Sequence, residues 1–318
     1  MTIAESIARL DGARKRPVDL PPVGSWPAAR HLFDLESVNA LIAGLAANRP
    51  ILVRGDPGVG KSQLARAAAT VLGRVFMVSV VQPDTEYTDL LWRVDFTQRL
   101  ADAQLAARRD EARDQVKDIS RYMGPGPLWW ALDPNDAERV HKAGAANFHP
   151  GKGITAGHCV DQGVVLLIDE VDKADISLTN GLLESLGNGG FAVPPLGRTV
   201  QASAQPPLVV LTSNNTRELP PALLRRCVVL TLTLGDDEAA RLMEIGAAAY
   251  GQLDVGLRRK ACDQIMADRV LCTDPPRTGL AEYLDLLSAL DALDGDAKDA
   301  ERWLNRLSGF FAKSSLSQ

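Results

Sequence analysis

The chain has 318 residues, 46% of them hydrophobic and 24% charged, with a net charge of −5 at pH 7. That is enough chain for one sizeable core and a satellite domain, and the composition excludes a fibre or a disordered protein. The acidic balance speaks against a surface built mainly for nucleic acid, and no apolar run approaches the roughly eighteen residues of a membrane span.

Residues 1–16 (MTIAESIARLDGARKR) lack the apolar core of a signal peptide, so the expected location is the cytoplasm. A proline-rich lead-in fills residues 1–30 and is densest over 17–27 (PVDLPPVGSWP). Residues 33–50 (FDLESVNALIAGLAANRP) then show helical apolar spacing and stop at a proline. Five β-like runs follow, starting at Ile51, Val75, Val164, Leu208 and Val228. Several are continuously apolar, as strands covered on both faces of a parallel sheet must be. The intervening 61–73 (KSQLARAAATVLG) and 177–187 (SLTNGLLESLG) read as helices, giving a β-α-β alternation.

Between the second and third runs lies a long stretch, 97–163. Residues 97–121 mix charges of both signs with alanine and leucine, the composition of a solvated helix. Beyond Leu234 the pattern changes to alanine- and leucine-rich helices, and a domain boundary is expected near Gly235. Cys159, Cys227, Cys262 and Cys272 make no CxxC pair, which favours reduced thiols. His141, His149 and His158 fall near Cys159, but their spacing matches no zinc pattern.

The chemistry concentrates in a few motifs. GDPGVGKS leaves the first strand and enters a helix: Gly55, Asp56, Pro57, Gly58, Val59, Gly60, Lys61 and Ser62, followed by Gln63. Such a loop turns backbone N–H groups onto phosphates, its lysine reaches the terminal phosphates, and its serine hydroxyl can hold Mg²⁺. VVLLIDE supplies the acidic partner, with Asp169 for the metal shell and Glu170 to deprotonate an attacking water. DKAD (172–175) imitates a guanine-reading element but follows the acidic motif too closely, and is assigned to structure. LVVLTSNN ends the fourth strand with Asn214 and Asn215, of which Asn214 is the better placed to polarise the same water. DPPRTG puts Arg277 at the start of a helix in the second domain, from which it could lean onto the phosphates. LLRRC (223–227) sets Arg225 and Arg226 on a short turn with no carboxylate within three residues, and leaves open which anion balances them.

In this order the motifs resemble those of the AAA+ ATPases, and within them the MoxR and dynein-related branch. Walker A is GDPGVGKS, Walker B is VVLLIDEVDKAD, sensor 1 is Asn214 in LTSNNTRELPPALLRRC, and sensor 2 is Arg277. Residues 187–203 (GNGGFAVPPLGRTVQAS) look like the β-hairpin that this branch inserts before sensor 1. The resemblance implies an α/β fold: a P-loop NTPase αβα sandwich with a parallel five-stranded sheet over 31–235, plus a small C-terminal α-helical lid over 236–318. It also implies ATP and Mg²⁺ as cofactors and a homo-oligomeric ring, a hexamer by family habit. In that ring Arg226, with Arg225 sharing the work, would reach the γ-phosphate held by a neighbouring subunit. MoxR-like proteins act in a chaperone-like way on protein partners, commonly ones with a von Willebrand factor A domain. Two other readings stay in view: a nucleotide-gated assembly module with little turnover, and a nucleic-acid motor or GTP-driven restriction subunit. The family's GP element appears as GPGPLWWAL (124–132), where an extended segment would send Trp129 and Trp130 to opposite faces and leave one of them available to a partner.

Overall fold

The computed structural model describes residues 2–106, 116–144, 162–203, 205–272, 277–293 and 297–313. Its strands are β1 (Pro17–Leu20), β2 (Ala29–Leu32), β3 (Ile51–Arg54), β4 (Val75–Val80), β5 (Trp92–Val94), β6 (Met123–Pro125), β7 (Val164–Asp169), β8 (Gly190–Val193), β9 (Arg198–Gln201), β10 (Leu208–Ser213) and β11 (Val228–Thr231). The five that the apolar runs predict form one parallel sheet in the order β11-β3-β10-β7-β4. Side chains alternate between its faces: Leu52, Leu166, Ile168, Val209 and Leu211 enter one cluster, and Ile51, Val53, Val165, Leu167 and Val210 enter the other. Each fully buried Leu or Ile contributes roughly 1.5–3 kcal/mol of transfer free energy, so both faces must stay covered.

One face is covered by helices α1 (Ile3–Gly12), α2 (Leu35–Ala47) and α3 (Lys61–Leu72) together with the antiparallel β1–β2 hairpin. The proline-rich lead-in is therefore packed structure. Proline carbonyls there have no N–H of their own residue beside them, and the buried Arg66 of α3 collects the free acceptors. Its Nη2 donates to the carbonyls of Leu20 (3.2 Å), Pro21 (2.5 Å) and Pro27 (2.8 Å), and its guanidinium lies 6.0 Å from the Trp26 ring. Helices Pro127–Leu132, Ile176–Asn188 and Pro221–Arg226 line the opposite face. Four further helices, Glu238–Ala249, Val255–Leu271, Leu280–Ala292 and Ala297–Phe311, enclose a third cluster around Leu242, Ile265, Tyr283 and Leu286.

Within GPGPLWWAL, Gly124 and Pro125 are extended, as the end of β6; the tryptophans lie on the helix Pro127–Leu132, and neither is available to a partner. Pro127 sits at the first position of a helix, where its missing N–H costs nothing. The helix lies between the sheet and the next helix, Pro134–Ala143, so both of its sides are covered. Trp129 is fully buried, donates from Nε1 to Asp136 Oδ2 at 2.9 Å and packs edge-on against Phe191. Trp130 is buried against the His141 ring. Asp136 also pairs with Arg139 and with Arg198, whose guanidinium covers Trp129 at 5.3 Å. Burial works against the Asp136 charge, but these donors outweigh it and hold the carboxyl below the usual carboxylate range. β8 and β9 form an antiparallel hairpin, and Asp136 fastens it to the helix Pro134–Ala143.

Candidate active site

The site lies at the C-terminal edge of the sheet, where β3, β7 and β10 end side by side. The loop after β3 runs with positive φ at Gly55, Gly58 and Gly60. At Gly55 a Cβ would run into the Leu232 carbonyl oxygen, and at Gly58 it would stand 2.8 Å from Ala281 Cβ. Helix α3 then starts without a side-chain cap, so its first amides stay open to an anion. Val59 packs on the apolar cluster beneath the loop, and Asp56 and Pro57 form its exposed crest.

Lys61 is buried and donates from Nζ to the carbonyls of Gly55 and Asp56, both at 2.8 Å. Burial lowers its pKa; the nearby Asp169, Asp172, Asp56 and Glu170 oppose that shift. Its hydrogen-bond partners are thus neutral oxygens, an arrangement suited to receiving an anion. Ser62 Oγ donates to both oxygens of Asp169, at 2.9 and 3.0 Å. Pairing of Leu211 with Ile168 sets Thr212 beside the end of β7. Its hydroxyl bonds Asp169 and accepts the Glu170 N–H at 2.9 Å. Glu170 itself takes the left-handed conformation, φ 60° and ψ 46°. That turns its carboxylate toward Asn214 Nδ2 (3.1 Å to Oε1) and Lys173 Nζ (2.6 Å to Oε2).

Asp172 of the DKAD stretch is buried and accepts from the backbone N–H of Asn214 and of Thr216 and from the Thr216 hydroxyl, at 3.2, 3.0 and 2.6 Å. It fixes the loop that carries Asn214. Asn215 turns away with φ 57°. Gln63 reaches outward: its Oε1 lies 3.3 Å from His31 Nδ1, and because a carbonyl oxygen only accepts, Nδ1 carries the proton. Burial pushes the His31 pKa down to about 4. Beside this pair a cavity of about 510 Å³ opens between the β1–β2 hairpin and the C-terminal helices, lined by Leu20, Ala29, Arg30, Gln63, Tyr250 and Leu284.

The C-terminal helices meet the phosphate loop through Ala281 at Gly58 and through Arg269, which the sequence reading passes over. Arg269 pairs with both oxygens of Glu238, donates to the Thr278 carbonyl at 2.9 Å and comes within 3.7 Å of Asp56 Oδ2. Arg277 is exposed and does not begin a helix; that helix starts at Leu280 with Gly279 as its N-cap. Arg225 and Arg226 are exposed at the opposite edge of the sheet. There Arg226 Nη1 donates to the Leu183 carbonyl at 3.3 Å and the Arg225 carbonyl accepts from Arg49 at 2.6 Å. His149, His158 and Cys159 lie outside the described residues, among which no cluster of metal-ligating His, Cys, Asp and Glu occurs. Cys227, Cys262 and Cys272 are buried free thiols. Among the described residues no helix is long and apolar enough to cross a membrane.

The structure therefore gathers Lys61, Ser62, Asp169, Glu170 and Asn214 into one cluster and leaves Arg225 and Arg226 outside it. No curated protein sequence matches the chain. Among solved structures, a candidate ATPase of Cytophaga hutchinsonii aligns at 14% identity over 96% of this chain and 84% of that one, with a TM-score of 0.43. RuvB of Thermotoga maritima, described as a Holliday junction branch migration motor, aligns at 18% identity over 86% of this chain and 66% of that one, with a TM-score of 0.43. The family described as AAA domain (dynein-related subfamily) matches residues 50–227, which run from the strand before the phosphate loop through the paired arginines. The chain belongs to the dynein-related subfamily of AAA domains.

Proposed function

We propose that the chain is a Mg²⁺-dependent ATPase of the MoxR-like type that works in the cytoplasm as a homo-oligomeric ring, a hexamer by family habit, and uses hydrolysis to remodel a protein partner. The observation that carries this reading is the cluster in which a buried lysine, a serine–aspartate pair and a glutamate–asparagine pair meet at the mouth of an uncapped helix. Ser62 and Asp169 present the hard oxygen donors that Mg²⁺ takes, and the open amides of α3 with Lys61 suit the phosphates of ATP. When bound, the metal ion would neutralise charge on the phosphate oxygens.

The chain's own residues divide the remaining work. Lys61 exchanges its loop carbonyls for phosphate oxygens. Asn214 holds the attacking water, and Glu170 takes its proton. Thr212 ties the Glu170 backbone N–H to the Asp169 carboxylate. The segment 31–235 serves as the nucleotide-binding domain. Residues 236–318 serve as a lid whose Arg277 and Arg269 approach the nucleotide from above.

The position of the paired arginines supports the ring. Val228 pairs with Ile51 at the start of β3, whereas the phosphate loop leaves the far end of that strand. Four residues of strand, roughly 13 Å, therefore separate Arg226 from its own loop, and its side chain turns toward Leu183. An arginine so placed suits a γ-phosphate held by a neighbouring copy better than its own. A protein bearing a von Willebrand factor A domain is the partner that the family resemblance supplies.

Isothermal calorimetry and a hydrolysis assay test the reading. Lys61→Ala should lose ATP binding, and Glu170→Gln should keep it while turnover falls on the order of a hundredfold or more. Unchanged affinity in the first variant, or near-normal turnover in the second, would place the chemistry elsewhere.

A further inference from the structure

Asp172 of DKAD is structural, holding the loop that carries Asn214. Lys173 is placed differently. Its Nζ lies 2.6 Å from Glu170 Oε2 while Asn214 holds Oε1 at 3.1 Å, so both oxygens of the proposed base already have donors. The contact is built into the backbone: Lys173 ends the single turn Val171–Lys173, and its N–H donates to the Glu170 carbonyl at 3.0 Å. Asp169 and Asp172 add their field to that of Glu170 around the same ammonium. Lys61, the other cation of the site, spends its donors on loop carbonyls.

We propose that Lys173 is a placeholder cation: in the nucleotide-free protein it fills the Glu170 oxygen that must accept a proton from water, and it swings into solvent once Mg²⁺, entering with nucleotide, brings positive charge to Asp169. Three features of the contact suit such a role. The Lys173 side chain is 41% exposed and can leave without disturbing the core. A lysine grips through a single point charge, where an arginine would hold both carboxylate oxygens in a fork. The metal ion would also repel an ammonium already held within the field of three carboxylates. Lys173 is thus a positioning residue that acts through Glu170, and the inference rests on Glu170 being the base.

The test compares Lys173→Met, Lys173→Arg and Glu170→Gln in the full chain, by basal ATP turnover and by thermal unfolding with and without Mg–ADP. At ATP well below saturation, where displacing Lys173 still costs, Lys173→Met should raise basal turnover roughly two- to fivefold, the scale of an exposed ion pair. It should also lower the melting temperature of the nucleotide-free protein by about 1–3 °C. With Mg–ADP bound that difference should vanish, and Lys173→Arg should melt like the parent. A Lys173→Met rate at or below the parent's, or a melting difference that survives Mg–ADP, overturns the proposal. The two readings fail separately. Hydrolysis retained by Glu170→Gln removes the base itself, whereas its loss in Glu170→Gln with no gain in Lys173→Met removes only the placeholder.

Discussion

At the C-terminal edge of the central sheet, charged groups find complements within the chain: Lys173 faces Glu170, hydroxyls and amides surround Asp169 and Asp172, and Lys61 lies among them. At the N-terminal edge, Arg49, Arg225 and Arg226 sit together, and among the described residues none of them forms an ion pair. Arg49 and Arg226 donate to main-chain carbonyls, which orient a guanidinium without neutralising it. The first edge is complete in one copy. The second keeps unneutralised guanidinium charge, and under the proposed function the anion that meets the LLRRC turn is nucleotide in a neighbouring copy.

The largest expected effect would break this contrast. Arg226→Ala should bind ATP normally and hydrolyse it on the order of a thousandfold more slowly, the scale of an arginine supplied in trans. Mixing it with Lys61→Ala should restore part of the activity, because some interfaces then join an intact loop to an intact arginine. No recovery, with mixed assemblies verified by mass, would mean that the arginine acts within its own copy.

A change remote from both edges should behave differently. Asp136→Ala removes the buried acceptor shared by Trp129, Arg139 and Arg198, and should cost about 2 kcal/mol in denaturant unfolding. Turnover per folded molecule should stay near the parent value. A loss of turnover matched to the stability loss would mean that the β8–β9 hairpin feeds directly into the phosphate-loop edge.

The smallest effect concerns the flank of the site. Burial drops the His31 pKa from 6.5 to about 4, so between those values the unfolded chain binds more protons than the folded one. Stability should therefore be fully present above pH 6.5 and decline as pH falls through that window. For a ring that stays partly exposed the loss between pH 6.5 and 5 is about 1 kcal/mol. His31→Gln should flatten that part of the melting profile, and an unchanged slope would show that other groups set it.

Much of this was legible in the sequence because it depends on local pattern. Continuous apolar runs identify all five sheet strands, and glycines at fixed offsets identify the phosphate loop. What escaped depends on long-range placement. Thr212 reads as an ordinary strand residue until register sets it beside Asp169, although a hydroxyl inside an otherwise apolar strand was a usable signal. Arg269 carries no motif and reaches Asp56 only through the docking of the C-terminal helices. The tryptophan pair misleads for a related reason: strand alternation does not apply beyond Pro127, which starts a helix.

The left-handed backbone at Glu170 marks a trade between durability and use. A side chain in that region costs about 1 kcal/mol relative to glycine, and here the Thr212 hydroxyl holds it in place. Glu170→Gly should accordingly melt higher than Glu170→Ala, the reverse of the order found in an ordinary helix or strand, since both lose the same carboxylate contacts. Selection for robustness alone would put glycine or asparagine at this position. The glutamate is the residue that such selection would remove first, and its retention is expected only if the proposed reaction at this edge is under selection.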